Sequence, residues 1–291
     1  MTVNSGEGPI ALAFRAARDG SRVALIPYVM AGYPDLASSE AVAIALAGAG
    51  ADLLEIGIPF SDPLADGATI QAASHKSLEQ GTCLADVLAL ANRIHKSTPV
   101  PLVLMGYFNP LLAFGLQQFC SAARAAGVSG LIVPDLPPEE ADDFQRMLAE
   151  HSIELIFLVT PTSSEDRIRL VTAAASRTGN GFLYCVSLSG VTGARSDLPP
   201  SLAAFVARVR QHTQLPLAVG FGVSTAQHVA EIGTIADGAV VASALLDAVD
   251  RAPHDQQPDA AAAFLTALRP AIAAGDQSRV NTTAREESAS A

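Results

Sequence analysis

The feature that most constrains the fold is the regular alternation of short apolar segments with amphipathic ones. Eight apolar segments are predicted as strands: 24–30, 53–56, 102–105, 130–133, 155–159, 181–186, 217–219 and 239–241. The helical patterns between them include 40–49, 84–95, 117–126, 138–150, 165–177, 202–212 and 226–232. Such alternation implies parallel strands joined by helical crossovers. Eight units with strands apolar on both faces favour a closed (β/α)8 barrel, an α/β fold, over an open doubly wound sheet.

The two ends of the chain extend this pattern. Residues 9–19 have the spacing of a leading helix that stops at Gly20, and this helix is expected to plug the barrel floor. Residues 260–272 are predicted as a closing helix, so that 1–274 form one barrel domain. Residues 275–291 are polar and lack apolar periodicity, and they are expected to be a disordered tail.

Charge and hydropathy exclude several kinds of partner. The formal net charge is -11, with acids spread along the chain, which argues against nucleic acid and anionic membranes. No apolar run approaches the ~18 residues of a membrane span, and the N-terminus lacks the order of a secretory signal. A cytoplasmic location is therefore predicted.

Residues 53–67 (LLEIGIPFSDPLADG) point to acid/base chemistry. Glu55 stands at the end of a buried strand, and Asp66 follows on a loop stiffened by prolines. A carboxylate at a strand end is costly unless water, a partner or a substrate uses it, and α/β folds place their chemistry there. The structural alternative makes Glu55 a salt-bridged rim residue and Asp66 the N-cap of the next helix.

Turns of small residues follow the last three strands, two of them with glycines, and they suggest a phosphate site. Strand seven runs into Gly220–Ser224 (GFGVS), and strand eight runs into 242–245 (ASAL), which begins a short helix. Barrel enzymes often hold phosphate with these two loops and such a helix N-terminus. The loop after strand six, 189–195 (SGVTGAR), is of the kind that closes over a substrate.

Lysines, histidines and metal-binding clusters are absent from the predicted strand ends, and this excludes several other chemistries. The two lysines, Lys76 and Lys96, lie inside helical patterns, so a Schiff-base lysine is not expected. Surface helix positions account for the histidines, and the spacing of Cys, His and carboxylate residues predicts no metal site. The cysteines are expected to be buried free thiols; they are Cys83, Cys120 and Cys185. Carboxylate acid/base chemistry on a phosphorylated small molecule remains, with cleavage, isomerisation and elimination all open.

Five ordered motifs resemble the tryptophan synthase alpha subunit family over residues 9–272. They are 27–34 (PYVMAGYP), 55–67 (EIGIPFSDPLADG), 133–137 (VPDLP), 189–193 (SGVTG) and 220–222 (GFG). The resemblance implies a lyase that splits indole-3-glycerol phosphate into indole and glyceraldehyde 3-phosphate. It implies no cofactor in this chain, and a beta subunit that carries pyridoxal phosphate as partner in an alpha2beta2 complex. Two alternatives remain: a stand-alone lyase that releases indole, and a catalytically idle activator of the beta subunit.

The resemblance also assigns the two acids. Glu55 would shuttle protons at the ring carbon and the chain hydroxyl, and Asp66 would accept the indole N–H. Glu55 needs a raised pKa to donate at neutral pH, which desolvation supplies, whereas Asp66 must stay ionised.

The remaining site residues are carried over from the same motifs. Four aromatic residues would wall the indole pocket: Tyr28, Tyr107, Tyr184 and Phe221. Thr192 and Gly193 would close the loop over the substrate. Four residues would hold the phosphate: Gly193, Gly222, Ala242 and Ser243. Three match positions near the partner: Asp62, Asn109 and Pro137. The family usually has glycine where this chain has Ala242, and helical dihedrals are expected to accommodate the alanine.

Overall fold

The eight predicted strands form a closed barrel of parallel strands in chain order. The structure is a computed structural model that describes residues 6–186, 198–220 and 222–269. Each strand pairs with its sequence neighbours, and β8 pairs with β1. The strands are β1 Ala24–Met30, β2 Leu54–Gly57, β3 Leu102–Met105, β4 Val128–Ile132, β5 Glu154–Val159, β6 Leu183–Val186, β7 Leu217–Gly220 and β8 Gly238–Val241. The (β/α)8 prediction is confirmed, with strand ends displaced by two residues at most.

Twelve α-helices accompany the strands in the described part of the chain. They are α1 Pro9–Asp19, α2 Leu36–Gly48, α3 Ala68–Glu79, α4 Leu84–Ser97, α5 Phe108–Phe114, α6 Leu116–Ala125, α7 Asp142–Glu150, α8 Glu165–Ala175, α9 Leu202–Arg210, α10 Ala226–Gly233, α11 Ser243–Arg251 and α12 Gln257–Leu268. The predicted helix at 138–150 begins only at Asp142, because residues 137–141 form turns in which Glu140 and Ala141 donate to the carbonyls of Pro137 and Pro138. The tail beyond 269 lies outside the described residues.

Helix α1 plugs the lower end of the barrel, as its pattern predicts. Its buried side chains, Ile10, Phe14 and Ala17, pack with the inward-facing apolar residues of the strands. The fit is so close that a side chain at either of two strand glycines would force the plug residues to shift. A Cβ on Gly130 would lie 2.8 Å from Ile10, and one on Gly238 would lie 2.9 Å from Phe14.

The alternation along each strand decides which side chains reach the barrel interior. In β1, Ala24 and Ile26 pack with the plug, whereas Leu25 and Val29 pack among the surrounding helices. Tyr28 continues the inward series one step higher, and its register partner on β2 is Glu55. A tyrosine and a carboxylate therefore point inward near the carboxyl ends of the strands.

Two sequence expectations about single residues are wrong. His228 is 1% exposed rather than on the surface, because Ser224 donates its backbone N–H to the ring Nδ1 at 3.3 Å. Cys83 is exposed, because it precedes α4 and bonds to Asp86 there. The other thiols are buried as expected, and burial raises the pKa of Cys120 to about 11 and of Cys185 to about 12. None of the described helices combines the length and apolarity that a bilayer span requires.

Candidate active site

A cavity of about 450 Å³ opens at the carboxyl ends of the strands. Its polar wall contains two carboxylates, two tyrosines, an arginine and several hydroxyls, and the rest is largely apolar. The apolar lining comes from inward-facing strand residues and neighbouring loops: Leu64, Ile70, Met105, Ile132, Leu158, Val186 and Val240. Both Glu55 and Asp66 lie on this cavity, 11 residues apart in sequence.

Glu55 is almost fully withdrawn from solvent. It is 3% exposed, and its Oε2 atom has no hydrogen-bond partner among the described residues. Burial, together with the negative charge of Asp66, raises the pKa of Glu55 to about 8. The rim salt bridge of the structural alternative is not formed with any described residue, so Glu55 is a buried acid that faces the cavity.

Asp66 lies on the loop between β2 and α3, and its side chain does not cap α3. Gly67 occupies the N-cap position, and no side-chain hydrogen bond caps the helix there. The Asp66 backbone is fixed instead, because its N–H donates to the Pro63 carbonyl at 3.0 Å and its own carbonyl accepts from Gln71 at 2.9 Å. Burial raises the pKa of Asp66 to about 7, and a hydrogen bond with Tyr107 opposes this rise. Asp66 is therefore close to half ionised at neutral pH, rather than fully ionised.

Tyr28 and Tyr184 contribute their rings to the cavity wall, and glycines make room for both. A Cβ on Gly57 would lie 1.9 Å from the Tyr28 hydroxyl, and one on Gly220 would lie 2.6 Å from the Tyr184 ring. Burial raises the pKa of both phenols well above the ordinary value, so each remains a proton-bearing donor.

Tyr107 is the exception among the predicted aromatic residues, since it does not line the cavity. It lies behind the β2–α3 loop, where its hydroxyl accepts the Ala65 N–H at 2.9 Å and its ring stacks on Phe60 with centroids 5.1 Å apart. Tyr107 thus contacts the loop that bears Asp66, and its contact with the indole ring stays a prediction. Phe221 lies outside the described residues.

The predicted phosphate residues lie together on one side of the cavity. Gly222 follows β7 with a φ of 71°, a conformation that favours glycine. Ser243 begins α11 and Ala242 precedes it. The φ and ψ of Ala242 are -118° and -87°, so its expected helical dihedrals are wrong, although a negative φ still admits alanine. Thr192 and Gly193 lie outside the described residues.

Sequence reasoning missed a polar corner formed by Thr160, Ser163 and Arg167. All three line the cavity after β5, and the Thr160 hydroxyl lies 3.1 Å from that of Ser163. Arg167 forms an ion pair with Glu139 from the preceding loop. Their position after a barrel strand was the available signal, but hydroxyl residues in a turn are too common to single out.

The three residues that match partner-facing positions all lie near the carboxyl end of the barrel. Asp62 and Asn109 are exposed, and Pro137 is half-buried. Close to them, Leu64 is 92% exposed on the β2–α3 loop. Single exposed apolar side chains are common on protein surfaces, so the contact of these residues with a partner stays a prediction.

The described residues support proton transfer more directly than metal chemistry. They contain no cluster of three or more His, Cys, Asp or Glu side chains able to hold a metal ion. Two carboxylates with different environments face one cavity, and at pH 7 Glu55 is mostly protonated while Asp66 is partly ionised. Such a pair can deliver a proton at one position and stabilise positive charge at another.

Comparison with known proteins identifies the family. A family model described as tryptophan synthase alpha chain matches residues 14–272. The tryptophan synthase alpha chain of Chloroflexus aurantiacus is 49% identical over 265 residues, which cover 91% of this chain and 98% of that protein. The corresponding Geobacter sulfurreducens protein is 46% identical over 263 residues, with coverage of 90% and 98%.

Solved structures agree with the sequence relatives. The structure of Mycobacterium tuberculosis tryptophan synthase matches with a TM-score of 0.84 and 35% identity, over 92% of this chain and 99% of that one. The tryptophan synthase alpha chain from Legionella pneumophila matches with a TM-score of 0.82 and 34% identity, over 92% and 98%. This chain therefore belongs to the tryptophan synthase alpha chain family.

Proposed function

We propose that this chain cleaves indole-3-glycerol phosphate in the cavity beside Glu55 and Asp66. Tryptophan synthase alpha chains catalyse this cleavage, which is a lyase reaction. The observation that carries the assignment of residues is the buried, unpaired Oε2 of Glu55, next to a second carboxylate and directly on the cavity. A buried acid without a partner is costly to keep and is typical of a catalytic position.

Glu55 moves the protons in this proposal. Because burial and the charge of Asp66 raise its pKa to about 8, Glu55 holds a proton near neutral pH and donates it to the indole ring carbon that bears the glycerol chain. The resulting carboxylate then takes the proton from the adjacent chain hydroxyl. The carbon–carbon bond breaks, its electron pair returns to the ring, and the hydroxyl carbon becomes the aldehyde of glyceraldehyde 3-phosphate. Glu55 ends protonated, so a single residue completes the proton balance.

Asp66 stabilises the intermediate between these steps. Protonation of the ring carbon spreads positive charge to the indole nitrogen, and an ionised Asp66 accepts the N–H and offsets that charge. Tyr28 and Tyr184 line the same cavity, and the Tyr28 hydroxyl donates to the Met30 Sδ at 3.9 Å. Their rings, with the apolar strand residues, supply the walls that an indole ring requires.

The phosphate end of the substrate fits the opposite side of the cavity. Gly222, with its positive φ, lets backbone N–H groups approach an anion, and the N-terminus of α11 at Ser243 adds a favourable dipole. Alanine at 242 retains its backbone N–H. No protein-bound cofactor is needed for this cleavage, because both protons and charge are handled by carboxylates.

We further propose that the indole passes to a beta subunit that carries pyridoxal phosphate. Exposed Leu64, with Asp62 and Asn109 near the cavity mouth, supports a docking surface there. The solved structures that resemble this chain include that of Mycobacterium tuberculosis tryptophan synthase. An alpha2beta2 assembly in the cytoplasm fits these observations and the acidic composition of the chain.

The test is an assay of the purified chain with indole-3-glycerol phosphate, with and without a tryptophan synthase beta subunit. We expect slow release of indole by the chain alone, strong activation by the beta subunit, and co-elution of the two. Fast turnover without binding would favour the stand-alone lyase. The idle activator would be favoured, and the proposed chemistry refuted, if the wild-type chain activated the beta subunit but cleaved no indole-3-glycerol phosphate, as expected of Glu55→Gln.

A further inference from the structure

Tyr107 occupies a place between the barrel and the loop that bears Asp66. It lies two residues after the end of β3 and immediately before α5, and it is 5% exposed. Its ring stacks on Phe60 at the start of the β2–α3 loop, with an interplanar angle of 27°. The tyrosine therefore contacts that loop near its beginning and, through its hydroxyl, near its end.

The Tyr107 hydroxyl contacts Ala65, the residue immediately before Asp66. Its oxygen accepts the Ala65 N–H at 2.9 Å, which directs the phenolic hydrogen away from that N–H. Asp66 comes next in the chain, and a hydrogen bond with Tyr107 lowers its pKa against the rise that burial causes. A donor to a carboxylate favours the ionised form.

Other charged and titratable groups around the same cavity do not take this role. Glu55 from β2, Tyr28 from β1 and Tyr184 from β6 face it, and the charge of Asp66 raises the pKa of all three. Arg167 from α8 also lines the cavity, but its guanidinium is paired with Glu139.

The segment that carries Tyr107 is fixed independently of any ligand. Gly106 donates its N–H to the Ile132 carbonyl at 3.0 Å, and Phe108 donates to the Asp135 carboxylate at 2.9 Å. A Cβ on Gly106 would lie 2.8 Å from the Ile58 side chain, so the two loops are in close contact. The barrel thus holds the Tyr107 hydroxyl, and the hydroxyl holds the loop at Ala65, next to Asp66.

We propose that Tyr107 is a positioning residue for Asp66: its hydroxyl fixes the loop at Ala65 and thereby sets the position and surroundings of the Asp66 carboxylate beside the indole nitrogen. This inference rests on the proposed function of Asp66.

The first test is the pH dependence of kcat/KM for Tyr107→Phe, measured from pH 6 to pH 9. Removal of the donor should move the acid limb upward by about one pH unit, since a hydrogen bond to a charged group has this size. The ratio of variant to wild-type kcat/KM should therefore rise from about 0.1 at pH 6 toward 1 at pH 9. Glu55 also ionises at high pH, and the charge of Asp66 raises its pKa, so the two proteins are compared on the acid limb, at the low end of this pH range.

The matched control is Tyr33→Phe, which removes another tyrosine–aspartate hydrogen bond at the same end of the barrel. The Tyr33 hydroxyl donates to Asp250 at 2.5 Å, and Tyr33 does not line the cavity. Its ratio should stay within about twofold of 1 at every pH. A Tyr107→Phe ratio that is low but constant with pH would reduce Tyr107 to a structural residue and overturn the inference, as would a ratio of 1 throughout.

Two further measurements keep the inference testable. Incorporation of 3-fluorotyrosine at position 107 keeps the ring and strengthens the donor, so the acid limb should move to lower pH; an unmoved limb would contradict the proposal. Titration of carbon-13 labelled aspartate carboxyls by NMR, with Asp66→Asn to identify the signal, needs no turnover. A higher midpoint in Tyr107→Phe supports the proposal even if the wild type fails to cleave the substrate, and an equal midpoint overturns it.

Discussion

The burial of Glu55 predicts that removing its charge stabilises the protein while abolishing its activity. A rise in pKa from 4.5 to about 8 means that folding takes up a proton across this window. The free energy of unfolding therefore falls as pH rises from 4.5 to 8, because the unfolded chain ionises the group first. At 1.36 kcal/mol per pKa unit, the full effect is about 5 kcal/mol above pH 8, as an upper limit.

Glu55→Gln removes this titration and leaves the side-chain volume almost unchanged. Its unfolding free energy, relative to wild type, should increase by about 2.5 kcal/mol between pH 6 and pH 8.5. The difference between the two pH values is the informative quantity, since any cost of the buried amide is the same at both. Urea unfolding followed by circular dichroism measures it, with Glu150→Gln, an exposed carboxylate at the end of α7, as the control.

The same variant should lose ~10² to 10⁴-fold in kcat for indole release, the usual contribution of a general acid or base. A stability difference that does not change with pH would refute the burial argument. A kcat above about a tenth of the wild-type value would refute the assigned role of Glu55. A Glu55→Gln variant that is more stable but inactive would show that Glu55 lowers the stability of the folded protein and is needed for the reaction.

Three further substitutions test other parts of the cavity. Asp66→Asn should reduce kcat at least tenfold in the same assay, because a neutral amide does not offset charge on the indole nitrogen; a variant that keeps more would contradict the role. Ala242→Gly should change kcat/KM by less than about tenfold, since the φ of -118° needs no glycine, and a hundredfold gain would reveal a damaged phosphate site. Gly57→Ala should lower the free energy of unfolding, measured in urea, by about 1–3 kcal/mol, because the new methyl would meet the Tyr28 hydroxyl. Adding Tyr28→Phe should restore part of this loss. A Gly57→Ala variant as stable as the wild type would contradict this packing.

The fold was predictable because its signal is local and repeated. Each strand of four to seven residues is apolar on both faces, and each is followed by a helical pattern, so closure in chain order needs no information about distant contacts. Glu55 was also predictable, because an acid at the end of a buried strand conflicts with its surroundings. The burial of Glu55 follows from the apolar strand that carries it.

The rest of the site depends on contacts between residues that are distant in the chain. The Tyr107 hydroxyl accepts the N–H of Ala65, which is 42 residues earlier, and nothing near Tyr107 in the sequence indicates this contact. His228 is buried because it accepts the backbone N–H of Ser224, which helical periodicity does not reveal. Arg167 reaches the cavity from the first turn of α8, where a surface position was equally consistent with the pattern.

The plug formed by α1 has a consequence for molecular traffic. Ile10 and Phe14 fill the lower end of the barrel so closely that a Cβ on either of two strand glycines would lie within 3 Å of them. A small molecule produced beside Glu55 therefore leaves past the same loops that admitted its precursor. The substrate and its products share one opening, at the carboxyl ends of the strands.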